Sequence, residues 1–142
     1  MHVTLFDTTI ELDAATVSAP PAEIRRQVRA YEQGDRRSFD LDVEFPDGFL
    51  GDVMDAMAAI PYGETRTYGD LADALDTAPV AVGQACGANP VPLVVPCHRV
   101  VASDGSLRGY SAAGGVETKR RLLDFESTNV SGSTQAELCP DE

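Results

Sequence analysis

Between Asn89 and Val101 the chain reads Asn-Pro-Val-Pro-Leu-Val-Val-Pro-Cys-His-Arg-Val-Val, and no other stretch restricts the fold so tightly. Proline fixes φ, removes an amide donor and pushes the residue before it out of the helical region. Pro96 therefore brings the backbone into Cys97 extended and stiff, and the apolar run behind it reads as a buried strand that ends at Cys97, His98 and Arg99. A thiol delivered in this way is presented for chemistry. A free cysteine has a pKa of about 8.5, so only about 3% is thiolate at pH 7 unless a base takes its proton. His98 is the candidate base. Neighbouring residues on an ideal strand face opposite ways, so proton transfer between them needs a turn or a bridging water. Spacing alone suits a small core hydrophobe beside a satisfied histidine equally well.

A length of 142 residues allows one full domain and a small appendage. The 23 acidic residues against 11 basic ones give a net charge of -12, which repels nucleic acid at long range. Lys119 is the single lysine, every other basic residue is arginine, and the acids run along the whole chain. This looks like the composition of proteins from salt-loaded cytoplasms, although an ordinary acidic protein fits too. At about 1 M salt the Debye length is about 3 Å, and close contacts rather than long-range repulsion decide binding. Cys86, Cys97 and Cys139 form no CxxC pair and His2 and His98 are the only histidines, so no metal site is expected. No basic-then-apolar leader or bilayer-length run is present, which predicts a soluble, cytoplasmic chain with reduced thiols and no membrane partner.

Val3 to Val17 alternates loosely and predicts two short strands. Pro20-Pro21 open a helix over 22–33 with Ile24, Val28 and Tyr31 on one face and Arg25, Arg26 and Arg29 in solvent, and Gly34 stops it. Leu41 to Phe45 reads as another strand, closed by a turn at Pro46-Asp47-Gly48. Phe49, Val53, Met54, Met57 and Ile60 recur at helical spacing and belong to the core. Thr67 and Asp70 have the spacing of a capping box for a short helix with Leu71, Ala72 and Leu75. Pro79 opens the next helix, which Asn89-Pro90 break. Two short helices so joined make a helix-turn-helix, whose second helix ordinarily reads bases. Here it offers Val80, Ala81, Gly83 and a single amide, Gln84, so it cannot read sequence, but its small side chains allow close approach to a sugar-phosphate wall. A last helix carries Val116, Leu122, Leu123 and Phe125 and ends near Glu126, after which 127–142 is polar and predicted disordered.

Pro96-Cys97-His98-Arg99-Val100, with Asn89-Pro90 before it and Gly109-Tyr110 after it, resembles the active-site signature of the O6-alkylguanine-DNA alkyltransferases. The likeness runs from about Gly48 to Glu126. It implies an α+β chain: a small strand and helix unit over 1–45, shorter than is usual in the family, and a winged-helix-like catalytic domain over 46–126. It also implies a monomer that flips O6-alkylguanine out of double-stranded DNA from the minor groove, without sequence preference. The alkyl group moves once, irreversibly, to Cys97, and no cofactor is needed. O4-alkylthymine is a further possible substrate. By motif position His98 is the base acting through water, Glu126 orients it, and Asn89 braces the turn. Tyr68 donates to the purine, while Tyr110, Ser111 and Pro92 line the base cavity. Val80, Ala81, Gly83, Gln84 and Arg99 are the expected DNA contacts.

Two departures stand out. By the same resemblance Val80 occupies the place of the family's intercalating arginine, and three residues, Ser111, Ala112 and Ala113, rather than one separate Tyr110 from the Gly114-Gly115 pair. Competing readings are a helix-turn-helix regulator, a non-enzymatic lesion sensor, and a thiol hydrolase using Cys97 and His98. Sensors of this kind have another residue at the cysteine position, and a hydrolase needs an oxyanion hole for which the sequence shows no signal.

Overall fold

An antiparallel hairpin starts the chain, β1 (His2–Leu5) paired with β2 (Thr8–Glu11) in the register Val3↔Ile10. Its alternation puts Val3, Leu5 and Ile10 inside, with Leu12 just beyond. A computed structural model describes residues 1–6, 8–104 and 115–136, with 131–136 as backbone. Helix α1 (Pro21–Glu32) lays Ile24, Gln27, Val28 and Tyr31 against the core, the spacing of a single helical face. Gly34, at φ +82°, closes it, because a left-handed residue at that place carries no Cβ penalty.

The strand expected over Leu41 to Phe45 is instead a single bridge, Val17↔Val43, with Ser18 and Glu44 amides reaching Asp42 and Thr16 carbonyls. The buried Gln27 amide occupies the neighbouring pairing position: it accepts from the Asp40 amide at 2.8 Å and donates to the Asp40 carbonyl at 3.0 Å. A side chain has replaced the rest of the ladder.

Helix α2 (Phe49–Ala58) buries Val53, Met54 and Met57, but Phe49 stands 39% exposed and is not core. It occupies the first helical position, before the apolar face turns inward. Gly51 is obligatory here, since a Cβ would lie 1.8 Å from the Pro46 carbonyl oxygen. Strand β3 (Arg66–Thr67) runs directly into α3 (Tyr68–Ala74), whose start is fixed by the capping box: Asp70 N–H to Thr67 Oγ1 at 2.9 Å and Thr67 N–H to Asp70 at 3.0 Å. Helix α4 (Pro79–Gly87) packs on α3 and α2 and completes the helix-turn-helix.

After the Cys97 turn, β4 (Val100–Val101) pairs in parallel with β3. The last helix, α5 (Gly115–Ala136), passes the expected end at Glu126, and its continuation is anchored. Asn129 reaches the Tyr62 hydroxyl and the Gly34 carbonyl, and the Val130 side chain closes on Gly63, so this part is not the disordered tail expected from composition. Among the described residues no helix is long and apolar enough to cross a membrane.

Candidate active site

The run before Cys97 is not a strand. Prolines 90, 92 and 96 remove three amide donors in seven residues, too many for a ladder, and the loop satisfies itself locally. Asn89, buried, donates from Nδ2 to the Val95 carbonyl at 2.9 Å and accepts the Val91 amide on Oδ1 at 3.1 Å. Its side chain ties both ends of the loop. Leu93 is held at φ +78° and is 2% exposed, a left-handed turn secured by burial. Pro96 has φ -82° and ψ 69°, the inverse γ-turn, and the Cys97 amide donates to the Val95 carbonyl at 2.8 Å. Cys97, His98 and Arg99 then form one turn of 3-10 helix. This supplies the turn that neighbouring residues needed to serve one site.

His98 is fully buried, and its Nε2 lies 2.8 Å from Glu126 Oε2. Burial raises the affinity of the Glu126 carboxyl for its proton, but hydrogen bonds from His98 and Arg99 outweigh it and hold the group at about 2. An ionised carboxylate only accepts, so Nε2 carries the imidazole hydrogen and Nδ1 the lone pair. Burial also pushes the imidazole's own pKa down, favouring this neutral form. Nδ1 is the one buried side-chain nitrogen or oxygen among the described residues with no hydrogen-bond partner. The histidine is therefore a base with its accepting lone pair unengaged, beside a thiol that is 3% exposed.

Arg99 requires a correction. Expected at the DNA surface, it is 7% exposed and engages Glu126 with two nitrogens at 2.9 Å each, while Nη1 donates to the Ile60 carbonyl at 2.8 Å. The 3-10 turn swings residue 99 inward, where its fork matches the carboxylate. Tyr31 adds a donor to Glu126 Oε2 at 2.6 Å and Gly63 N–H a longer one to Oε1 at 3.4 Å. Tyr62 stacks beneath the Arg99 guanidinium at 5.5 Å. Neither tyrosine was legible as a site residue, since Tyr31 sits in the apolar period of α1 and Tyr62 in a helix-ending turn.

Tyr68, at the start of α3, is half-buried and placed by the β3–β4 pairing, which joins its strand to the residues after the Cys97 turn. The Lys119 ammonium, 1% exposed, donates to the Tyr68 hydroxyl at 3.2 Å and lies within electrostatic reach of Cys97 and Cys86. Cys86 hydrogen-bonds to Met57 sulfur at 3.5 Å, and burial pushes its thiol up to about 12, so it stays protonated. The only lysine in the chain is thus interior, which its position beside Arg120 and Arg121 in a charged helical stretch did not announce.

Pro92 is buried in the loop, and Tyr110 and Ser111 lie outside the described residues. On α4, Val80 is 71% exposed and Gln84 also faces outward, with Ala81 and Gly83 half-buried. A cleft of about 320 Å³ between Phe39, Leu41 and Phe45 on one side and Val94, Pro96 and Arg99 on the other backs the loop, but neither Cys97 nor His98 lines it. No group of three His, Cys, Asp or Glu side chains among the described residues could hold a metal ion.

The family model described as 6-O-methylguanine DNA methyltransferase, DNA binding domain, matches residues 48–128. A methylated-DNA--protein-cysteine methyltransferase of Mycobacterium tuberculosis is 43% identical over 107 residues, 73% of this chain and 64% of its own length. One from Methanosarcina barkeri is 45% identical over 112 residues, 76% of this chain and 69% of its own. A crystal structure of Mycobacterium tuberculosis OGT in complex with DNA superposes with a TM-score of 0.74 at 32% identity, covering 90% of this chain and 93% of that one. The chain spans 64% of the length of the mycobacterial relative.

Proposed function

This chain belongs to the 6-O-methylguanine DNA methyltransferase family, and from that premise we propose that it repairs O6-alkylguanine in DNA by moving the alkyl group to Cys97, once per molecule. The observation that carries this reading is the unengaged Nδ1 of His98 beside a buried thiol, with Nε2 locked to Glu126.

In the reaction the Cys97 sulfur attacks the alkyl carbon as its bond to O6 breaks, and the electron pair returns to the purine. The thiol proton passes through a water to His98 Nδ1, and the departing guanine takes up a proton in exchange. A soft sulfur suits displacement at an alkyl carbon, and the thioether it forms is stable, so the chain is consumed. Tyr68 donates to the purine ring. Lys119 donates to the same hydroxyl at 3.2 Å, which fixes the position of its oxygen beside the Cys97 turn.

Docking on double-stranded DNA falls to the exposed face of α4. Val80 and Gln84, with the small Ala81 and Gly83 between, approach the minor groove without reading sequence, and the chain acts as a monomer. By motif position Tyr110, Ser111 and Pro92 take the part of the family's base-contacting residues.

Intact mass after incubation with an O6-methylguanine duplex tests the reading. One added methyl on Cys97, absent in Cys97→Ser, is the expected result. An unmodified protein that still binds the lesion would mark a sensor instead, and repeated turnover of an ester would mark a hydrolase.

A further inference from the structure

The residues ahead of Gly48 lie outside the matched family region, yet one of them reaches its centre. Tyr31 closes the apolar face of α1, is fully buried, and places its hydroxyl 2.6 Å from Glu126 Oε2, the oxygen that His98 also uses. Three donors converge on that atom: Tyr31 OH, His98 Nε2 and Arg99 Nη2. The Tyr31 ring is clamped between Phe39, Tyr62 and Phe125, at centroid distances of 5.6, 6.0 and 5.7 Å, so the hydroxyl has one place to point.

We propose that Tyr31 is a positioning residue for the Cys97–His98 pair: it holds the Glu126 carboxylate in the plane of the imidazole and takes a share of its charge. Arg99 grips both oxygens and is itself tied to the Ile60 carbonyl. Tyr31 adds, from the aromatic clamp, a donor on the one oxygen that His98 shares. It also limits how much negative charge His98 meets, which keeps the imidazole neutral and able to accept the thiol proton. Burial and the Glu126 charge both push the Tyr31 phenol up, so it remains a donor throughout the working pH range. The N-terminal unit is in this view a functional part of the site. The inference rests on the proposed role of Cys97 as nucleophile, but its test does not need the DNA substrate.

The test is a double-mutant cycle read by the rate at which iodoacetamide modifies Cys97, followed by mass and peptide mapping, in Tyr31→Phe, Glu126→Gln and the pair. Tyr31→Phe keeps the ring and its clamp, and thermal melting checks that the fold persists. General-base assistance is worth about 10²–10⁴ in rate, and losing its alignment forfeits part of that, about tenfold. Tyr31→Phe alone is expected to slow modification by about that factor and to move the acid limb of the pH profile upward, because His98 then meets more carboxylate charge. On the Glu126→Gln background the same change is expected to alter the rate less than about twofold. An equal loss on both backgrounds, or an unmoved pH profile, overturns the proposal. Methyl transfer from an O6-methylguanine duplex, run in parallel, separates the two ideas: its absence in the parent chain sinks the repair reading while leaving the cycle interpretable.

Discussion

Glu126 is the residue on which the site turns. It is buried, ionised, and shared by His98, Arg99, Tyr31 and the Gly63 amide. Removing one partner from a buried ion pair leaves the other charge uncompensated, which typically destabilises by about 3–5 kcal/mol. Glu126→Gln is expected to lower the urea midpoint accordingly, by stranding Arg99, as well as to slow alkyl transfer. The pH dependence has a definite sign. Glu126 is held at about 2 against an ordinary 4.5, so its stabilisation is complete above 4.5 and is lost as pH falls toward 2. His98 is pushed below its ordinary 6.5, so under that pH the unfolded chain binds a proton that the folded chain refuses. Both effects weaken the fold in acid. Melting temperature should decline from about pH 7 downward, and Glu126→Gln should flatten the lower part of the curve; a melting temperature constant to about pH 4 contradicts this assignment. The motif made Cys97, His98 and Glu126 legible in the sequence. Tyr31 and Arg99 were not, because an apolar period and an adjacent basic residue carry no sign of which way a side chain turns.

At the scale of elements, punctuation proved more readable than strands. Pro21, Gly34, Gly48, the Thr67–Asp70 box and Pro79 all mark boundaries where expected, since each acts through local dihedrals or local hydrogen bonds. Leu41–Phe45 and the run to Val95 were misread, because a strand requires a partner and no local rule supplies one. Side chains of Gln27 and Asn89 fill the missing pairing positions instead. The same distinction bears on α4, whose exposed face begins with Val80, 71% exposed. We expect Val80 to act as an apolar wedge beside a base pair already weakened by the lesion. Val80→Arg should then speed repair of duplex DNA several-fold while leaving transfer from free O6-benzylguanine unchanged. Equal effects on both substrates would rule this out.

For the whole molecule the charge of -12 is the governing quantity. A basic DNA-binding protein loses affinity with salt as counterions are released, but an acidic one gains while its long-range repulsion is screened. The rate on duplex DNA is expected to rise between about 0.1 and 1 M potassium chloride, with the rate on free O6-benzylguanine nearly flat. A duplex rate that falls steadily over that range would show that phosphate contacts dominate after all. Composition, the capped helices and the Asn89–Val101 phrase follow from residues acting alone or on near neighbours, and these the chain announces by itself. Tertiary structure alone decided which atoms share the Glu126 carboxylate. A residue from α1, two from a 3-10 turn and one from α5 meet there across 95 positions of sequence, and only packing of the intervening core brings them within hydrogen-bond range. It decided likewise that α5 continues beyond Glu126, where Asn129 and Val130 find partners that no sequence period encodes.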